Sequence, residues 1–256
     1  MKALKKIIFA SFVLGALLFT GCTKTSTTDG NTTGANDYVA PAIAKDSLVK
    51  IPLQLVNKEQ NGDYSLIYLI LGETFINTYS TSLAGWFLYD QSSMSGWNSK
   101  KNSDGSTTYS WKYFTFSVNL IYFHSSSESW WKYQYDSASY KYTYCYVDDK
   151  GTSGEVDFYS KAYFKQDDKL AIKDSYTKSG STTNSTFLIY NPDASVSERY
   201  DAVSNSDRSG TMKIYTQINS AGTPVLQYFY TWDKYGVGSY TTYGPDGTTV
   251  SGTGTY

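Results

Sequence analysis

Apolar and polar residues alternate through most of the carboxyl-terminal half of the chain. Met212, Ile214, Thr216 and Ile218 stand two apart, as do Leu226, Tyr228, Tyr230 and Trp232. A period of two marks a half-buried strand. Turn signals rich in Gly, Asn, Asp and Ser separate these runs at 148–151, 166–169, 179–182, 191–194, 205–210, 220–223, 233–236 and 244–247. Toward the end they lie about 13 residues apart, which suits strands of roughly eight to ten residues joined in an up-and-down meander. The expected fold is all-β and antiparallel, curled into an open barrel or a strongly twisted sheet.

Upstream, Val49, Ile51, Leu53 and Leu55 also alternate and predict a first strand. The next stretch breaks the pattern. Over 64–83, Leu66, Leu69, Ile70, Ile76, Tyr79 and Leu83 recur at helical spacing, with Asp63 placed to cap. Ile67, Leu71 and Phe75 add a second apolar flank, so this helix is expected to lie against the sheet, buried nearly all round; the alternative is a pair of core strands. Residues 91–106, with Trp97 among Ser, Asn and Gly, read as a loop. From Tyr109 to Tyr122 the apolar face switches at Tyr113 and Phe114, which implies a bulge or a strand covered on both faces. Residues 130–147 read as a hairpin around 136–139. It would pair Tyr135 with Tyr140, Tyr133 with Tyr142 and Trp131 with Tyr144 on one face, leaving a largely polar face opposite.

The amino terminus carries a different pattern. Lys2, Lys5 and Lys6 precede an apolar run from Ile7 to Phe19 that is too short to span a bilayer, and Thr20, Gly21 and Cys22 follow it. Leu18-Phe19-Thr20-Gly21-Cys22 resembles the bacterial lipobox, although the family prefers Leu where this chain has Phe19. The resemblance implies cleavage before Cys22 and acylation of that residue with palmitate-type chains, hence membrane attachment through lipid. Thr23 resembles the residue that lets lipoproteins leave the inner membrane, which favours the outer membrane of the cell envelope. Residues 1–21 are then a signal peptide. Residues 22–36, rich in Thr, Gly and Asn, form a tether that cannot bury enough apolar surface to order itself, and 37–256 form one β-rich domain.

Composition narrows function mainly by exclusion. Removing the signal peptide leaves 19 basic and 23 acidic side chains, a net charge near −4, so nucleic acid gains no electrostatic support. With Cys22 lipidated, Cys145 has no partner in the chain for a disulfide or a cysteine metal site. The single histidine, His124, opens a polar stretch that reads as a turn, and the acidic pairs Asp148/Asp149 and Asp167/Asp168 also fall in turns. No nucleotide, hydrolase or metalloprotease motif occurs. The expectation is a protein that is not an enzyme and uses no cofactor and no metal.

The 26 Tyr, 12 Phe and 6 Trp residues remain. Trp111, Tyr113, Trp131, Tyr133, Tyr142 and Tyr144 are candidates to line a concave sheet that stacks sugars or takes up an apolar ligand. Their competing role is to fill the core beneath the helix. The expected partners are the membrane, through the lipid, and a hydrophobic ligand, a glycan or another envelope protein. The alternative is a purely structural or adhesive surface lipoprotein without a small-molecule site.

Overall fold

The computed structural model describes residues 47–62, 64–81, 94–113, 116–125, 128–135, 143–150, 152–160, 169–218 and 223–256. Contacts divide the chain into Met1–Asp37 and Tyr38–Tyr256, and all described residues belong to the second unit. Cys22 and the tether lie outside the described residues, as do Asp63, Leu83, 85–90 and the proposed hairpin loop at 136–139.

Among the described residues two α-helices, α1 (Leu53–Gln60) and α2 (Ile67–Thr81), flank a 3₁₀ turn at Tyr64–Leu66. The strands are β1 (Met94–Lys101), β2 (Thr107–Tyr113), β3 (Phe116–His124), β4 (Glu128–Tyr135), β5 (Thr143–Asp149), β6 (Ser153–Ser160) and β7 (Leu170–Ser179). They continue as β8 (Thr182–Tyr190), β9 (Val196–Asn205), β10 (Gly210–Ile218), β11 (Pro224–Trp232), β12 (Gly238–Tyr243) and β13 (Val250–Thr255). Every strand pairs antiparallel with its neighbours in sequence, so spatial order equals chain order from β1 to β13. The meander expected from alternation is therefore present, as an open sheet not closed into a barrel.

The helix predicted over 64–83 is present as the 3₁₀ turn and α2, and α2 packs on β6, β7, β8 and β10. Leu66, Leu69, Phe75 and Ile76 bury against the strands, but Ile67 and Tyr68 are partly exposed, so the helix is amphipathic rather than buried all round. Beneath it, Phe187 stacks on Phe75 at 5.7 Å, and Tyr200 meets both rings edge-on at 5.9 and 5.5 Å. Gly72 makes this close approach possible: a Cβ there would lie 2.5 Å from the Met212 sulfur and 3.0 Å from the Tyr200 ring.

Three local expectations are corrected. The run from Val49 to Leu55 is not a strand: Pro52 precedes α1, where its fixed φ suits a helix start, and Val49 and Leu55 bury from a bend and a helix. Its backbone pairing goes to side chains. Asn77 accepts from the Val49 N–H at 3.0 Å and donates to the Val49 carbonyl at 2.8 Å, and the Lys50 N–H donates to the Ser204 hydroxyl at 3.0 Å. The face switch near Tyr113 is a hairpin between β2 and β3, with Tyr113 opposite Phe116. Residues 94–101, read as loop, form β1, which breaks register between Ser95 and Asn98.

Most proposed turns fall between consecutive strands, and three share one chemistry. At 102–106, 191–195 and 205–209, an Asn amide donates to a Ser hydroxyl four residues on. That Ser in turn donates both N–H and O–H to the intervening Asp. The residue between Asp and Ser is left-handed: Gly105 at φ 85°, Ala194 at 68° and Arg208 at 72°. Such side chain to backbone bonding fixes a hairpin tip without burial.

Candidate functional site

Of the six aromatic candidates, only Trp111 has a described side chain, and it is buried. Tyr142 lies outside the described residues. The backbone register places Trp111 opposite Val118, Tyr113 opposite Phe116, Trp131 opposite Cys145 and Tyr133 opposite Thr143. Tyr144 stands opposite Lys132. The β4–β5 hairpin is thus one residue out of the expected register, and because side chains alternate, that step moves Tyr144 to the other face from Trp131 and Tyr133. His124 closes β3 opposite Ser129.

A continuous aromatic row lies elsewhere, running from Tyr68 at the start of α2 across β11 and β12 to Tyr256. Tyr68 stacks on Tyr228 at 4.3 Å, and Tyr228, Tyr230, Tyr240 and Tyr256 follow with ring centres 6.1, 6.3 and 6.5 Å apart. Glycines opposite the rings give them their seats. A Cβ at Gly254 would meet the Tyr240 ring at 2.6 Å, one at Gly238 the Tyr256 ring at 2.9 Å, and one at Gly210 the Trp232 ring at 2.6 Å. An aromatic ring laid over a cross-strand glycine replaces the packing that glycine cannot supply. A register shift between Ile214 and Tyr215, which puts Tyr228 and Leu226 on successive β10 residues, keeps Val225 and Gln227 buried alongside Tyr230 and Trp232.

The row is buried at its centre and open on both flanks. Tyr230 is fully buried, and its hydroxyl donates to the Ser65 carbonyl at 2.8 Å. Tyr256 donates to the Thr231 carbonyl at 2.9 Å, and Lys58 lies 6.0 Å from the centre of its ring. Tyr68 is 39% exposed, while Tyr228, Tyr240 and Tyr256 are half-buried. Burial first, then the hydrogen bond and charge of Tyr68, push the Tyr228 phenol up to about 12. Burial raises Tyr230 further in the same direction, so both phenols are neutral around pH 7. The row presents flat apolar faces edged with hydroxyls, suited to stacking and hydrogen bonding.

A second feature lies where the chain enters the domain. Ser47, Val49, Lys50, Ile51, Glu73 and Arg208 line an open cleft of about 270 Å³. Burial raises the Glu73 carboxyl above the ordinary carboxylate range, while hydrogen bonds from Asn77 and Thr74 pull it back in part. The Asn77 amide donates to its Oε1 at 2.6 Å.

A third concentration of polarity is buried. Asp174 on β7 and Ser185 on β8 belong to the helix-covered face, and neither the carboxylate oxygens nor the hydroxyl has a hydrogen-bond partner. Burial holds Asp174 well above the usual carboxylate range, with the Ser175 backbone pulling weakly the other way. Among the described residues no group of three or more His, Cys, Asp or Glu side chains gathers to hold a metal.

No protein-family model matches the chain, and no curated protein matches it. The tyrosine row of β11–β13 was not among the candidate binding residues singled out from the sequence. The signal that marks the row is the pairing of Tyr with Gly across adjacent strands, Tyr240 against Gly254 and Gly238 against Tyr256, which periodicity alone does not register.

Proposed function

We infer that this is a lipid-anchored protein of the bacterial cell envelope, attached through Cys22, that binds glycan on the tyrosine row rather than catalysing a reaction. The observation that carries the binding assignment is the Tyr68–Tyr228 stack at 4.3 Å beside the half-buried Tyr240 and Tyr256. Sugar rings offer apolar faces to stack and hydroxyls for the phenols. Burial of Tyr230 with a satisfied hydroxyl holds the platform rigid, which lowers the entropy cost of binding. The outer membrane is the location that Thr23 favours.

Titration of the full chain with solubilised envelope polysaccharide, followed by the near-ultraviolet signal of tyrosine, tests this reading. Tyr68→Ala and Tyr240→Ala are each expected to weaken binding about tenfold, near 1.4 kcal/mol. Unchanged affinity in both variants would rule out the row as the binding surface. Detergent partitioning that is unaltered by Cys22→Ser would refute the anchor.

A structural or adhesive role is supported by a different observation. On the face away from α2, the register aligns Thr177, Asn184, Val203, Thr211, Thr231, Ser239 and Thr255 across β7–β13. Near this row Lys173 pairs with Glu155 at 2.8 Å, and Arg199 pairs with Asp201 at 2.8 Å. A long face rich in Thr, Ser and charged side chains, with Val203, Tyr215 and Phe229 among them, suits broad, weak contact with a surface. Binding of whole cells or cell walls that survives loss of the tyrosine row would favour this second role.

A further inference from the structure

The cleft that Glu73 lines also carries two cationic side chains. Lys50 and Arg208 both line it, and among the described residues neither the ammonium nor the guanidinium forms an ion pair or hydrogen bond. The chain as a whole is slightly acidic, so these charges are not part of a generally basic surface.

Arg208 occupies a costly position. It is the left-handed residue of the Asn-x-Asp-x-Ser turn at 205–209, at φ 72°, where the equivalent turns use Gly105 and Ala194. An L side chain in that conformation is strained relative to glycine, as at Ala194, but of these turns only the one bearing Arg208 contributes to the cleft. The carbonyl of Arg208 is fixed by the Trp232 indole N–H at 2.7 Å, which locks the tip. On the other wall, the two bonds between Asn77 and Val49 and the bond from the Lys50 N–H to Ser204 fix the backbone that carries Lys50. Both cations are thus held on preorganised backbone, while Ser47 adds a hydroxyl and Glu73 an acceptor at the wall.

We propose that this cleft binds a phosphate ester of a polyol, with Arg208 and Lys50 on the phosphate and Glu73 accepting from a polyol hydroxyl. An Arg guanidinium matches two phosphate oxygens at once, and a Lys ammonium adds a point charge. The cleft is slightly below the usual range for small-molecule pockets, about 300–1,000 Å³, and so suits a head group rather than a long chain. Soluble polyol phosphates and phospholipid head groups share this chemistry. The site is separate from the tyrosine row and does not depend on its role.

The test uses the full chain carrying Cys22→Ser, so that no acyl chain contributes. Glycerol 3-phosphate is titrated by calorimetry at low salt, and flotation is measured with phosphatidylglycerol and with phosphatidylcholine vesicles. Arg208→Gly and Lys50→Met are compared with the parent in both assays. Each substitution is expected to weaken glycerol 3-phosphate binding by at least about tenfold, while Arg208→Gly raises the unfolding midpoint because glycine suits its φ. Gain of stability with loss of binding separates a ligand role from a structural one. Arg208-dependent binding of glycerol 3-phosphate supports the site and assigns a soluble source; Arg208-dependent flotation with phosphatidylglycerol alone supports it and assigns a head group. No binding in either assay at millimolar ligand, or full binding by both variants, overturns it.

Discussion

Strands β8–β10 and strands β12–β13 share backbone pairing and hairpin geometry but differ in what covers them. In the first group alternate residues are sealed beneath or beside α2: Ser185, Phe187, Ile189, Tyr200, Ala202, Ser204, Met212 and Ile214 are all buried. In the second group no residue is buried, and Val250 is 55% exposed. A strand does not acquire a core face by alternating; something must lie on that face. Where the helix stops, glycine and tyrosine take over, and the sheet is held by rings on cross-strand glycines and by backbone pairing. The helix-covered strip holds the buried side chains of these strands, whereas Tyr240 on the other strip is only half-buried.

Removing the largest contact under the helix should separate the regions most sharply. Phe187→Ala is expected to cost about 3–5 kcal/mol in urea unfolding, because it deletes the ring between Phe75 and Tyr200 and leaves a cavity. Gly72→Val should cost about 1–3 kcal/mol by pushing α2 away from Met212, a change readable as loss of helical ellipticity before the sheet unfolds.

The buried acid gives a pH signature to the same strip. The folded-state pKa of Asp174 is raised above its unfolded value, so the folded chain holds a proton that the unfolded chain has released. Its favourable contribution is present below the unfolded value and is lost as pH rises from there through the folded value. Stability is therefore expected to fall with rising pH from about pH 4 upward. Asp174→Leu should flatten that slope and stabilise the protein at neutral pH by about 1–3 kcal/mol, since an unpartnered buried polar group is removed. An unchanged pH profile in the variant would remove Asp174 from this role. At the other extreme, Val250→Thr in the uncovered strip should change stability by no more than about 0.5 kcal/mol.

The meander was legible because alternation and turn chemistry act locally: residues 212–218 and 226–232 read correctly as strands, and Asn-x-Asp-x-Ser tips recur where strands end. The helix over 64–83 was legible from its spacing, and Gly72, which weakens a helix in isolation, is required by the sheet it touches. Long-range choices were not legible. Leu53 and Leu55 alternate equally well in a strand, and only the pairing of Val49 with Asn77, 28 residues away, removes the need for a neighbouring strand. The β4–β5 register lies one residue from the pairing the rings suggested, and no pattern of rings fixes that choice. The tyrosine row joins Tyr68 to Tyr228 across 160 positions of sequence, so it exists only once the helix is placed.

Hydrogen exchange of the native full-length chain, resolved by peptide, tests the division most directly. Amides within 185–190, 200–204 and 210–215 should exchange only through global unfolding, and those within 250–255 at least about a hundredfold faster through local opening. Equal protection of the two groups would contradict the account, because the helical cover would then not be what stabilises this sheet.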